Sequence, residues 1–170
     1  MKFLIALLVI ILLIVIVSIF YFEAYGTLND IRIKMNNAND NITSLLKEKY
    51  SLMQKLYEII KKNIKKKDYL KDFSALSKQN LSNYELDAEL NTHLKTMTDL
   101  KEDYKSLNNK EYNDLLKQAK KIDQDIVANK KFFNKNNNLL IKTLHGYKKV
   151  VAKLLNINVK TSYEIKKPID

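Results

Sequence analysis

From Phe3 to Phe22 the chain reads "FLIALLVIILLIVIVSIFYF", a stretch with no charge and no helix breaker. Twenty helical residues rise about 30 Å, the thickness of a bilayer's hydrocarbon core, so the run predicts a membrane span. A cleaved secretory signal has a shorter apolar region and small residues at its cleavage site, whereas bulky side chains fill those positions here. Tyr21 and Phe22 suit the interfacial belt. The flanks do not fix the orientation, because Lys2 stands alone on one side while Glu23 and Asp30 offset Arg32 and Lys34 on the other.

Beyond the span the pattern becomes periodic. Leu28, Met35, Ile42, Lys49, Leu56 and Asn63 form one heptad series, and Ile31, Ala38, Leu45, Leu52 and Ile59 form the other. Lys49 and Asn63 interrupt the first series, and Leu46, Met53 and Ile60 widen the stripe into a face that packs on two neighbours. This predicts a bundle helix running to about Lys67, with Asp68 as cap of the next. Leu70, Phe73, Leu76 and Leu81 mark a second helical region, broken at "SNYE" (Ser82–Glu85), a capping-box pattern. The stripe resumes with Leu86, Leu90, Leu94, Met97, Leu100 and Tyr104. A second capping pattern, "NNKE" (Asn108–Glu111), opens a third long helix with a seam at Tyr112, Ala119, Ile126, Phe133 and Leu140. Its companion seam, Leu115 and Ile122, is interrupted by Asn129 and Asn136, read as residues that fix register in preference to lining a polar groove. Gly146 is placed to end that helix, and a short fourth helix carries Val150, Val151, Leu154 and Leu155 on one side. The fold class is therefore all-α: a single N-terminal transmembrane helix, then an antiparallel bundle of three long helices plus one short. The division is an anchor over 1–24, a helical domain over 25–158 and a loose tail over 159–170.

Composition sharpens this picture at a few points. Two glycines and one proline leave little turn punctuation, and the absence of cysteine excludes disulfides, thiolate metal sites and thiol catalysis. The formal charge is +11, and removing the first 22 residues takes away only Lys2. A basic domain attracts phosphates, although a chain rich in Lys, Asn, Ile and Tyr also carries such charge without any ligand.

Catalytic inventory is thin. His93 follows Glu89 by four residues on one helical face, too few ligands for a metal, and reads as a surface histidine; His145 beside Gly146 reads as a helix-end cap. Glu85, Asp87 and Glu89 alternate around a helix instead of converging. No nucleotide loop can be built from Gly26 and Gly146. No catalytic residue, metal ligand or cofactor is expected. The remaining candidate is "KKNIKKKDYLK", with Lys61, Lys62, Lys65, Lys66 and Lys67 as an anion-binding cluster. On a straight helix, at about 1.5 Å per residue, it stands some 55–60 Å from its own bilayer, and a solvated helix end is the simpler reading. With Arg32 as the sole arginine, nucleic acid is disfavoured.

Three segments resemble the LemA family of bacterial membrane proteins. After the anchor, Tyr25, Leu28, Ile31, Arg32, Met35, Ala38, Ile42, Leu46, Lys49, Tyr50 and Leu52 are similar to the family's Tyr, Leu-x-x-hydrophobic-Arg, Ala, Ile and basic-Tyr-x-Leu positions. Asp123, Ile126, Lys130, Phe133 and Asn134 resemble its acidic, Ile, basic and Tyr-Asn pattern, with Phe133 in place of the usual Tyr. Ala152, Tyr163 and Glu164 form the third match, lacking the family's frequent Pro around Leu144–Tyr147. The resemblance covers both ends of the domain and leaves Lys61–Lys121 thinly supported. It implies an antiparallel bundle of long helices on a single N-terminal span, and no established enzymatic activity.

The expectation is a single-pass cell-membrane protein, held in the bilayer through residues 3–22, that acts as a non-catalytic scaffold or adaptor for an unidentified protein partner and allows a homo-oligomer. The alternative is a tethered anion binder that uses the distal lysine cluster on nucleic acid or an opposing membrane.

Overall fold

The computed structural model describes residues 2–64, 70 and 72–164, and among these every regular element is helical. Helix α1 spans Lys2–Asn63, α2 Asn83–Asp103, α3 Lys110–Thr143 and α4 Gly146–Leu154, with 3-10 turns at Phe73–Lys78 and Lys105–Leu107. The first helix is uninterrupted where the sequence suggests a span and then a separate helix, since Gly26 is accommodated within it. Its apolar N-terminal run is long enough to cross a membrane, and none of its most apolar stretch is buried. Farther along α1, Ala24, Leu28, Ile31, Met35, Ala38, Ile42, Leu46, Lys49, Met53, Leu56 and Ile60 are buried. Their steps of three and four average about 3.6, the period of an ordinary α-helix rather than the 3.5 of a supercoil. That is why Leu46, Met53 and Ile60 are buried while Leu45 and Ile59 are only half-buried. The helix ends at Asn63, short of the expected Lys67. The proposed cap Asp68 lies outside the described residues.

Two compact units divide the chain, Met1–Asn37 with Phe132–Ser162, and Ala38–Lys131 with Tyr163–Asp170. In the first, α4 is held at its start by Lys148, whose Nζ lies 2.8 Å from Glu23 Oε1, and by the Tyr147 hydroxyl, which donates to Glu23 Oε2. The end of α4 is closed by Asn156 at φ +52°, with Ile157 N–H donating to the Ala152 carbonyl at 2.9 Å and Asn156 N–H to Lys153 at 3.2 Å. This is a Schellman arrangement with asparagine in the left-handed position. Gly146 is likewise left-handed, at φ +52°, although α3 has already ended at Thr143. The stretch from Asn158 to Ser162 carries no regular element, yet it is not loose. Asn137 clasps it, its Nδ2 donating to the Lys160 carbonyl at 2.6 Å and its Oδ1 accepting from Lys160 N–H at 3.0 Å.

In the second unit the side-chain hydrogen bonds define helix directions. Thr43 meets Asn83 and Lys49 meets Asn91, so α1 and α2 run the same way. Asn41 meets Asn129 and Lys49 meets Asp123, so α3 runs against α1. The uniformly alternating order expected from the sequence is thus replaced by one parallel and two antiparallel pairings. Among the described residues before α2, those from Phe73 onward lie back along α1, which makes this order available. The 3-10 turn there sets Phe73 5.4 Å from Tyr50, 5.7 Å from Tyr57 and 5.4 Å from His93, ring centre to ring centre. Residues 73–78 therefore form a 3-10 turn instead of the second helical region read around Leu70–Leu81.

Both helix starts follow local chemistry. Ser82 Oγ accepts from Glu85 N–H while Glu85 Oε2 accepts from Ser82 N–H at 2.8 Å, a complete capping box. Donation from Ser82 holds the Glu85 carboxyl below the usual range. At α3 the cap is Asn109, accepting from Tyr112 N–H at 2.9 Å, one residue later than the expected Asn108. Tyr112 itself is fully buried and donates its hydroxyl to the Met97 carbonyl at 2.7 Å; burial holds its phenol well above the usual range.

Candidate functional site

Of the anion-binding candidates, Lys61 and Lys62 are exposed in the last turn of α1, where cations complement the carbonyl end of the helix dipole. Lys65, Lys66 and Lys67 lie outside the described residues.

The charged groups that the structure does bring together are buried. Lys49, fully buried, places Nζ 2.7 Å from Asp123 Oδ1 and 2.6 Å from Asn91 Oδ1. One face of α1, one of α2 and one of α3 each supply a group, so the lysine read as an interruption of the stripe is its polar centre. A second pair joins Lys130 Nζ to Asp87 Oδ2 at 2.5 Å. Asp87 is therefore no surface acid: it is 7% exposed, while Glu85 and Glu89 face solvent. Next to this pair Tyr163 stacks on Tyr84, with ring centres 4.4 Å apart, donates its hydroxyl to Asn39 Oδ1 at 2.6 Å and receives the Lys130 ammonium 5.9 Å above its ring. Enclosing a lysine and a carboxylate costs both their hydration, which their mutual attraction offsets only while both are present, so losing one partner costs more than losing the pair.

Histidines occupy structural positions. His93 is half-buried against the edge of Phe73 instead of free on the surface, its Nε2 4.0 Å from Glu89 Oε2. Burial pushes its imidazole down, with Glu89 and Asp72 opposing. Because the folded chain resists protonating this ring, its contribution to stability is complete above the ordinary value of 6.5 and is lost as pH falls below it. Thermal unfolding followed from pH 7.5 to 5 should show a falling midpoint, and His93→Gln should flatten that part of the profile; equal slopes would move the effect to other groups. His145 precedes α4, and its Nδ1 lies 3.0 Å from the Lys142 carbonyl, so it closes the end of α3 as a cap should.

The interrupting asparagines are tied to neighbours. Asn129 Oδ1 accepts from Asn41 across the helices at 3.3 Å, and Asn136 Nδ2 donates to the Phe132 carbonyl at 2.8 Å. Asn137, which no periodicity singled out, holds the tail.

Two surface features lie apart from these contacts. An open cleft of about 920 Å³ runs along α2 and α3, with Lys101, Lys117, Lys120 and Lys121 among its lining residues. A second groove, about 500 Å³, is lined by Val17, Phe20, Tyr21, Tyr147, Val150, Val151 and Leu154. Its walls are almost wholly apolar, and Val150 and Leu154 are 60% and 70% exposed. The apolar side of α4 is thus divided between a buried Val151 and an open strip.

Among the described residues no group of three or more His, Cys, Asp or Glu is arranged to hold a metal ion. No protein-family model, curated protein or solved structure matches the chain.

Proposed function

We propose that the chain is a single-pass membrane protein of LemA type whose helical bundle serves as a non-catalytic scaffold or adaptor. The observation that carries this reading is the uncharged run Phe3–Phe22, exposed along nearly its whole length at one end of a helix that is otherwise amphipathic. An aqueous helix would not leave such a surface open, whereas a bilayer covers it without any protein partner. The LemA-like reading is supported by where its matching residues fall: Lys49 pairs with Asp123, and Lys130 lies over Tyr163. Positions drawn from all three segments of the resemblance meet in these contacts. The scaffold reading is supported by ionisable groups spent on internal pairs, which hold helix faces in register and leave long exposed faces for contact.

The chain's lack of cysteine makes the test direct. Asn109 caps α3, so the probe belongs at the exposed Lys105. Lys105→Cys should react with a membrane-impermeant maleimide either in intact cells or only after permeabilisation, fixing the side on which this part of the chain lies. Crosslinking from the same cysteine in cells should then give discrete protein adducts. Recovery of lipid adducts alone, or recovery of the protein in the soluble fraction after lysis, would count against a tethered scaffold.

A further inference from the structure

The groove beside Tyr147 has one wall made by the apolar run of α1 and the other by α4. Whatever medium surrounds Val17, Phe20 and Tyr21 also fills it, which selects the occupant. At about 100° per residue, Tyr147, Val150 and Leu154 fall on one strip about 60° wide, and Lys149 and Lys153 on the neighbouring strip. Val151 and Ala152 are buried on the remaining side. The three sectors of α4 thus face protein, apolar medium and charge in turn, the pattern of a helix lying in a membrane interface. The height agrees. Tyr147 packs edge-on against Phe20, 5.2 Å between ring centres, and Lys148 engages Glu23, the first charged residue after the apolar run.

We propose that α4 is an interfacial helix, its Tyr147, Val150 and Leu154 strip resting on lipid acyl chains and Lys149 and Lys153 lying beside anionic headgroups. This rests on the reading of residues 3–22 as a span and adds a second lipid contact to it. Lysines at this depth reach the headgroups by extending their stems.

The test uses the full chain with one cysteine at a time, Val150→Cys or Leu154→Cys, carrying a nitroxide in vesicles of phosphatidylglycerol mixed with phosphatidylcholine. Ile11→Cys is the deep reference and Lys105→Cys the aqueous one. Collision with oxygen relative to a water-soluble nickel chelate should be severalfold higher at Val150 and Leu154 than at Lys105, and lower than at Ile11. Lys149→Gln with Lys153→Gln should reduce the ratio at Val150 in these vesicles and leave it unchanged in pure phosphatidylcholine. A deep Ile11 with Val150 and Leu154 matching Lys105 would overturn the interfacial helix and leave the span standing. Protection of both α4 sites from both quenchers would put protein, such as a second copy, on the strip and overturn it equally. An aqueous Ile11 would remove the span, and the inference with it. No effect of the double lysine substitution would remove the headgroup contact.

Discussion

Asp123→Ala is expected to destabilise the packing around Lys49 by about 3–5 kcal/mol, more than removal of the carboxylate from an exposed site would. The reason is what remains. Lys49 has no exposed surface, and among the described residues its ammonium would keep only the Asn91 amide oxygen as a partner. Removing both charges tests the same idea from the other side. Lys49→Met with Asp123→Leu should be near neutral or more stable, because neither side chain then leaves a charge in the core. Denaturant unfolding of the full chain in detergent, followed by circular dichroism, distinguishes these outcomes, and the double-mutant cycle isolates the coupling. An Asp123→Ala loss below about 1 kcal/mol would mean that the Lys49 ammonium reaches water, and that the pair belongs with weak surface bridges.

The second large effect should come from Leu56→Asp. Leu56 is wholly buried in the α1 stripe, and a carboxylate there meets an apolar surround. Substitutions that bury an unpaired charge reach beyond about 4 kcal/mol, a large part of the roughly 5–15 kcal/mol that holds a domain folded. The expected result is loss of the cooperative thermal transition. Ser51→Asp, at an exposed position of the same helix, should stay within about 0.5 kcal/mol of the parent. Leu56→Ala should fall between the two, at about 2–5 kcal/mol. If Leu56→Asp kept a full transition, the stripe would be an exposed docking face awaiting a partner, and the core would have to lie elsewhere.

These two predictions also mark where sequence was informative. The stripe containing Leu56 could be read because burial along a helix repeats with the helix's own period, and the capping box at Ser82 because its groups lie within four residues. Lys49 sits in that same stripe and looked like a defect. Its partner lies 74 positions later, and periodicity carries no information about which distant carboxylate a buried lysine will meet. Asp87 reads as a surface acid with Glu85 and Glu89 for the same reason, since the lysine it meets, Lys130, lies 43 positions away. The direction of α2 was hidden by its connection. Nothing in the local pattern says that Phe73 will settle against Tyr50 and Tyr57 and bring the chain back along α1. For α4 the amphipathic pattern was visible, but a stripe of Val and Leu does not state whether protein or another apolar medium will cover it. Asn137 gave no signal at all, because its work is done on the backbone of Lys160.

The pairing of Lys49 with Asp123 has a consequence for biosynthesis. Chains emerge at roughly 5–20 residues per second, so the 74 positions between the two residues correspond to roughly 4–15 seconds. During that interval the nascent α1 segment presents both an unneutralised ammonium and a strip of unmatched Leu, Ile and Met, while Tyr163 is still 124 positions beyond Asn39. A ribosome held before Asp123 would display a segment that chaperones recognise, and its release would bring the matching carboxylate.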